Sequence, residues 1–153
     1  MGKIEDRIEE LGLILPETPV PMGSYLPWAR SGKLLFISGQ LPRREGKVVY
    51  QGRVPSEISI EQAKEAAMVA ALNAISVMKS ALEELDRVKQ ILRMTCWVAS
   101  SPNFFDQPQV ANGASDFLVK VFGEAGKHSR MTTGVIALPA NATVGVDLVV
   151  AAR

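Results

Sequence analysis

The feature that most constrains the fold is a long alanine-rich segment in the middle of the chain. Ser59 and Gln62 form an S-x-x-Q pattern, which is typical of a helix N-terminus, and the segment is predicted to be helical as far as about Leu85. Small residues repeat along one side of this helix, namely Ala63, Ala67, Ala70, Ala74, Val77 and Ala81. A face of small side chains allows close packing on a β-sheet, so the sequence predicts a helix packed on a sheet.

A second helix is predicted from about Gln107 to Phe122. Asp106 is its candidate N-cap, Pro108 is tolerated in its first turn, and Gly123 or Gly126 ends it. Alternating apolar residues and turn signals predict strands in the remainder of the chain. These strands cover residues 26–30, 33–39, 48–50, 89–100, 129–138 and 143–152.

The N-terminal segment is predicted to differ from the rest of the chain. Residues 3–15 place apolar side chains at helical spacing and predict a short amphipathic helix, which we expect to pack on the outside of its own domain. Three prolines make residues 16–21 an extended linker. The domain itself is predicted to span residues 22–153, beginning near Met22.

The resulting order, βββαβαββ after the N-terminal helix, predicts an α+β fold. In such a fold a single mixed β-sheet carries two helices packed on one face. The other face also needs a cover, because 47% of the residues are apolar and the strands are apolar on both sides. The sheet of another subunit is the expected cover.

Composition excludes several classes of function. The 153 residues carry a formal net charge of +1, which does not predict a polyanion partner. The single cysteine and single histidine are too few for a zinc site, and Cys96, on the apolar side of its strand, is predicted to be an inert core thiol. We read neither a secretory signal nor a membrane-spanning segment, and therefore expect a cytoplasmic protein.

Arg130 is the first candidate for a ligand anchor. It lies in an otherwise largely apolar predicted strand, and a guanidinium there must either pair with an anion or face water. A planar guanidinium can bind a carboxylate with two parallel hydrogen bonds. Thr132 has the same strand parity, so its hydroxyl could lie beside a bound acid. The alternatives for Arg130 are a solvated strand end and a structural ion pair.

Other polar residues are given weaker interpretations. His128 could share the side of Arg130 and relay a proton, or it could be a surface or interface histidine. The segment 123–129 has the wrong glycine spacing for a phosphate-binding loop and precedes a strand rather than a helix. Glu83, Glu84 and Asp86 are interpreted as a solvated helix end.

Four motifs in order resemble the RidA/YjgF family of reactive-intermediate deaminases. They are Met22-Gly23-Ser24-Tyr25, Leu35-Phe36-Ile37-Ser38-Gly39-Gln40-Leu41-Pro42, Gln109-Val110-Ala111-Asn112-Gly113, and the Arg130 strand closing in Leu138-Pro139. The resemblance covers roughly residues 20–153. It implies a chorismate-mutase-like fold and a homotrimer with a ligand cleft at each subunit interface.

The resemblance also implies a chemistry. Members bind small 2-imino or 2-oxo acids, and the arginine, here Arg130, holds the carboxylate while water attacks the imine carbon and ammonia leaves. Tyr25, Ser38 and Asn112 lie at the positions that line the family's cleft. No cofactor is expected, because an imine is already electrophilic and the site need only orient it and assist proton transfer.

The sequence departs from the resembled family at one acidic position. Typical deaminating members carry a glutamate seven residues beyond the leucine of Leu138-Pro139, and this chain has Gly145 there. Asp147 shares the strand parity of Gly145 but lies about 6.6 Å further along a strand. It could replace the missing carboxylate only in a reshaped cleft.

Three functions are compatible with the sequence. The first is hydrolysis of 2-imino acids to 2-oxo acids and ammonia, with Arg130 as the anchor. The second is non-catalytic binding of a small carboxylate metabolite at the same cleft, since Gly145 cannot handle a proton. The third is RNA cleavage or translation inhibition, which names of some relatives suggest but which the 6% aromatic content and the lack of a basic groove do not favour.

Overall fold

A computed structural model describes residues 2–21 and 23–153. Met22, the predicted first residue of the domain, lies outside the described residues. Within these residues the three α-helices are α1 (Lys3–Glu10), α2 (Ile60–Leu82) and α3 (Gln107–Phe122). The seven strands of the described residues are β1 (Trp28–Ser31), β2 (Leu34–Gln40), β3 (Arg43–Arg44), β4 (Lys47–Val48), β5 (Val88–Ala99), β6 (Ser129–Val135) and β7 (Val144–Ala152).

Five strands form one mixed sheet in the order β1-β2-β7-β5-β6. Only β5 and β6 run parallel, and the other neighbours are antiparallel. The predicted strand 48–50 is not part of this sheet, because β3 and β4 pair only with each other in a separate two-stranded hairpin.

The helices cover one face of the sheet, which confirms the predicted α+β architecture. Leu35, Ile91, Met94, Leu148 and Val150 point from the strands toward the helices and are fully or almost fully buried. The other side, which we call the open face, bears alternate strand residues. Its large apolar side chains include Leu34, Phe36, Trp97 and Met131, and each of these is at least 38% exposed.

The central helix begins as the sequence predicts. The Ser59 hydroxyl accepts from the Gln62 backbone N–H, and the Gln62 side chain accepts from the Ser59 N–H, so the capping box is complete. Helix α2 ends at Leu82, three residues before the predicted end, and Glu83 has a positive φ of 68°. The helix is long and apolar enough to cross a membrane, but 67% of its apolar 18-residue stretch is buried, as in the core helix of a folded domain.

Two helix predictions need correction. Asp106 occupies the N-cap position of α3, but its side chain makes no capping hydrogen bond. Helix α1 ends at Glu10 and not at residue 15, because Gly12 takes a positive φ of 77° and turns the chain.

The N-terminal helix packs on its own domain. Ile8 is 2% exposed, and the buried carboxylate of Glu5 binds Lys79 Nζ at 2.8 Å and the Leu85 N–H at 3.1 Å. Asp86 caps this helix and is not simply solvated, because its carboxylate accepts from the N–H groups of Lys3 and Ile4 at 3.0 Å each. These two hydrogen bonds lower the pKa of Asp86.

Candidate functional site

Arg130 lies on strand β6 and points toward helix α3. It pairs with Met94 in the β5–β6 register, and Met94 is fully buried under the helices, so Arg130 shares that face of the sheet. Its Nη1 donates to Asn112 Oδ1 at 2.7 Å and to Ser115 Oγ at 3.2 Å. Asn112 and Ser115 are one turn apart on α3, so the helix presents both acceptors to the same guanidinium.

His128 completes this group. The Gly126 carbonyl accepts from His128 Nδ1 at 2.6 Å, and in the neutral ring Nε2 accepts from the Ser115 hydroxyl at 2.9 Å. A chain of hydrogen bonds therefore runs from His128 through Ser115 to Arg130. We call Arg130, Asn112, Ser115 and His128 the arginine cluster.

The arginine cluster leaves the charge of Arg130 available. Its two partners are neutral, and within residues 2–21 and 23–153 no carboxylate forms an ion pair with it. Its side chain is also exposed. The structural ion pair considered from the sequence is therefore not found in the described part of the chain. Thr132, two residues along the same strand face, is half-buried.

Cys96 lies beneath this region and is a core residue, as predicted. It pairs with Thr132 in the β5–β6 register and has no exposed surface. Burial raises the pKa of the Cys96 thiol to about 12. Such a thiol is neutral at physiological pH and is a poor nucleophile.

A second region lies beside the inner strands β2, β7 and β5. An apolar cleft of about 780 Å³ contains three of the predicted site residues, Tyr25, Ser38 and Gly145. Its other lining residues are Pro19, Val20, Pro21, Pro27, Gly39, Gln40, Leu41, Arg43, Gly46, Trp97, Leu138, Pro139, Ala140 and Val146. Ser38 is held in place by donating its hydroxyl to the Leu26 carbonyl at 2.5 Å.

The Asp147 carboxylate is held by a hydrogen bond and lies outside the lining of the apolar cleft. Its Oδ2 accepts from Trp97 Nε1 at 2.8 Å, and it does not line the apolar cleft. Asp147 pairs with Thr95 and Gly145 with Trp97, so both β7 residues face the open side of the sheet. Arg130 faces the helix side, so one chain does not bring Arg130 and Asp147 together.

Two residues of these regions were not predicted from the sequence. Ser115 could have been found from its spacing of three residues after Asn112 on a predicted helix. Trp97 could have been found as a large aromatic residue on the outward parity of the strand 89–100. Among the residues described, no group of three or more His, Cys, Asp or Glu side chains could hold a metal ion.

Comparison with known proteins identifies the family. Residues 5–151 match the family described as "YjgF/chorismate_mutase-like, putative endoribonuclease". The chain belongs to this family. It is also 39% identical to Protein TCP17 of Trypanosoma cruzi over 150 residues, which is 97% of this chain and 94% of that protein.

Solved structures agree with this assignment. The Atu1372 protein of Agrobacterium tumefaciens, whose function is described as unknown, is 38% identical with a TM-score of 0.91, covering 97% of this chain and 91% of its own. A putative endoribonuclease of Shewanella oneidensis is 37% identical with a TM-score of 0.95, covering 98% and 99%. The family resemblance inferred from the four motifs is thereby confirmed.

Proposed function

We propose that the protein hydrolyses reactive 2-imino acids to 2-oxo acids and ammonia, with Arg130 as the carboxylate anchor. The observation that carries this proposal is the exposure and hydrogen bonding of the Arg130 guanidinium. It is exposed, it is oriented by two neutral acceptors, and Nε and Nη2 make no hydrogen bond within the described residues. A substrate carboxylate would supply the missing anionic partner.

The proposed reaction needs no cofactor. Water adds to C2 of the iminium, the carbon–nitrogen bond breaks, and the products are a 2-oxo acid and ammonium. Tyr25 and Ser38 lie in the apolar cleft beside Gly145, and Asn112 and Thr132 lie on the helix side with Arg130. The role assigned to the chain is to orient an electrophile that already reacts with water, which is a modest catalytic demand.

A complete site in this proposal requires two copies of the chain. The arginine cluster faces the helix side of the sheet, whereas Tyr25, Ser38 and Gly145 line the apolar cleft. The exposed apolar residues of the open face, among them Leu34, Phe36 and Met131, would be covered by neighbouring subunits. We therefore propose a cytoplasmic homotrimer in which the arginine cluster of one subunit meets the apolar cleft of the next.

A coupled assay tests the activity. A threonine dehydratase generates 2-iminobutanoate, and semicarbazide traps the imine that is not hydrolysed. We expect the purified protein to lower the initial rate of semicarbazone formation and to raise the rate of 2-oxobutanoate release above the uncatalysed rate, and Arg130→Ala to abolish the effect. No acceleration with any of several imino acids would remove the hydrolase proposal.

Mixing two inactive variants tests the shared site. Arg130→Ala removes the anchor, and Gly145→Trp fills the apolar cleft. Refolding the two variants together would restore about a quarter of native activity, because random trimers contain interfaces with one intact anchor facing one intact cleft. No restoration in mixed trimers would mean that the residues act within one chain.

Binding without turnover is the second candidate, and Gly145 is the observation that favours it. This position carries no side chain to hold a proton or a water molecule. Calorimetry with pyruvate and 2-oxobutanoate, for native protein and Arg130→Ala, would detect binding independently of turnover. Oxo acids that bind the native protein but whose imines are not hydrolysed faster would support this second function.

A further inference from the structure

Trp97 is the largest side chain that lines the apolar cleft, and it is held in a fixed orientation. It lies on the open face of β5 and is 38% exposed. Its indole N–H donates to Asp147 Oδ2 at 2.8 Å, which satisfies the one polar group of the ring. The ring therefore presents an apolar surface to the cleft without an unpaired donor.

Gly145 lies directly opposite Trp97 in the β5–β7 register. A Cβ placed there would meet Leu41 Cδ2 at 3.8 Å, the Gln40 carbonyl at 3.9 Å and Leu138 Cδ2 at 4.0 Å, which are ordinary contact distances. A side chain could therefore be accommodated at residue 145, and none is present. The missing side chain leaves open space beside the tryptophan.

The remaining lining of this space is predominantly apolar. Pro21, Pro27, Leu41 and Leu138 contribute aliphatic surface, and Tyr25 adds a second aromatic ring. A volume of about 780 Å³ lies in the range of sites that enclose drug-sized ligands, and the side chain of an imine derived from alanine would leave most of it empty. Burial of a large apolar substituent would add about 25 cal/mol for each Å² removed from water.

We propose that Trp97, oriented by Asp147 and left accessible by Gly145, selects 2-imino acids with large apolar or aromatic side chains. The inference rests on the proposed function and names the substrate class of that same site. Trp97 is the specificity-determining residue, and Asp147 is a positioning residue that acts through it. Asp147 is not the proton-transferring carboxylate of the proposed reaction.

Substrate comparison is the direct test. Amino-acid oxidases of suitable specificity generate the imines of phenylalanine, leucine, alanine and glutamate in the presence of semicarbazide. We expect kcat/KM for the phenylalanine and leucine imines to exceed that for the alanine imine at least tenfold. An equal or higher value for the alanine imine would overturn the inference, and so would a preference for the glutamate imine, which would point to Arg43 in the cleft.

Variants of Trp97 test whether the ring itself is responsible. Trp97→Ala is expected to raise KM for the phenylalanine imine about tenfold while changing kcat much less. Phe105→Ala is the matched control, because Phe105 is 79% exposed and does not line the cleft. Equal losses with the phenylalanine and alanine imines in Trp97→Ala would show a structural role and contradict the inference.

Asp147 variants separate positioning from proton transfer. Asp147→Asn keeps an oxygen that accepts the indole N–H and is expected to stay within about threefold of native kcat, whereas Asp147→Leu loses the acceptor and is expected to resemble Trp97→Ala in KM. A fall of 100-fold or more in kcat for Asp147→Asn would instead make the carboxylate a proton-transferring group and overturn the positioning role.

The failure of this inference differs from the failure of the proposed function. If the alanine imine is hydrolysed faster than the bulky imines, hydrolysis stands and the substrate class is wrong. If no imine is hydrolysed faster, calorimetry with phenylpyruvate and pyruvate decides the selectivity of the cleft. Tighter binding of phenylpyruvate, lost in Trp97→Ala, would support the recognition role of Trp97, and equal affinities would overturn it.

Discussion

The arginine cluster and the apolar cleft are opposite in character. The arginine cluster is polar and exposed, and it rests on the contact between one helix and an edge strand. The apolar cleft is lined mainly by apolar residues contributed by loops, by the β3–β4 hairpin and by the inner strands β2, β5 and β7. In the proposed function, charge recognition and side-chain recognition are thus assigned to separate parts of one chain.

This separation has a physical advantage. A guanidinium fully buried in the apolar cleft would lose its hydration and require a permanent counter-charge, whereas Arg43 at the cleft wall is only half-buried. On the edge strand, Arg130 stays hydrated and keeps only neutral hydrogen-bond partners. In the proposed trimer, desolvation of this charge would occur only where a neighbouring cleft and a bound carboxylate are present.

Arg130→Ala gives the largest expected effect and tests the comparison directly. Loss of a charge-assisted bidentate contact should weaken oxo-acid binding about 100-fold, while apolar probes of the cleft should bind as before. Calorimetry with pyruvate measures the loss. Arg7→Ala, on the exposed side of α1, is the control. Unchanged affinity for pyruvate in Arg130→Ala would contradict the assignment of Arg130 as the anchor.

A substitution at Gly113 tests whether close packing of α3 on α2 positions the arginine cluster. A Cβ at this position would lie 2.1 Å from the Lys64 carbonyl of α2, and neither backbone can yield easily. We expect Gly113→Ala to lower the free energy of unfolding by about 2 kcal/mol, as an overpacked contact does. Urea unfolding measures this change.

The control for Gly113→Ala is Gly39→Ala. A Cβ at Gly39 would have no neighbour within 4 Å, so we expect a small change there. Equal effects of the two substitutions would mean that the α2–α3 contact can relax. The inference that close packing of α3 on α2 holds Asn112 and Ser115 in place would then be wrong.

Sequence patterns predicted the elements better than the relations between them. The capping box of Ser59 and Gln62 and the turn of α3 at Gly123 are local features, and the structure has both. Strand parity also placed Thr132 on the side of Arg130. Alternation within one strand does not reveal which of its side chains face the helices. The opposite orientations of Arg130 and Asp147 follow only from the pairing of β5 with β6 and with β7.

Long-range contacts were the other omission. Asp86 was interpreted as solvated because nothing near it in sequence binds it, yet it caps a helix more than 80 residues away. Trp97 was not singled out from the sequence, because its partner Asp147 lies 50 residues further along the chain. Such contacts depend on sheet order, which local periodicity does not encode.

Asn112 offers a smaller and more selective test. Asn112→Asp would place a carboxylate beside Arg130 Nη1, now 2.7 Å from the amide oxygen, and compete with the substrate. We expect oxo-acid affinity to fall about tenfold, since exposed ion pairs are weak. Asn112→Ala removes the partner without adding charge and should cost about threefold. A larger loss in Asn112→Ala than in Asn112→Asp would show that orientation of the guanidinium matters more than its free charge.

Glu65 gives the smallest expected effect and belongs to the cleft side. Tyr50 donates its hydroxyl to Glu65 Oε2, and Arg44 Nη2 donates to Oε1 at 3.1 Å, which ties the β3–β4 hairpin to α2. The Tyr50 hydrogen bond and then that of Arg44 lower the pKa of Glu65 from its ordinary value. A lowered pKa stabilises the folded state above the unfolded-state pKa, and this contribution is lost as pH falls through the folded-state pKa.

We therefore expect Glu65→Gln to lower the free energy of unfolding at pH 7 by less than about 1 kcal/mol, because the group is 43% exposed. The difference from the native protein should disappear as pH falls below the folded-state pKa, since the native carboxylate is then neutral too. Urea unfolding across this pH range measures it, with Glu61→Gln as the control on the same helix. If the difference persists in acid, the substitution acts through packing. The position of the β3–β4 hairpin, which forms one wall of the cleft, would then not depend on the Glu65 charge.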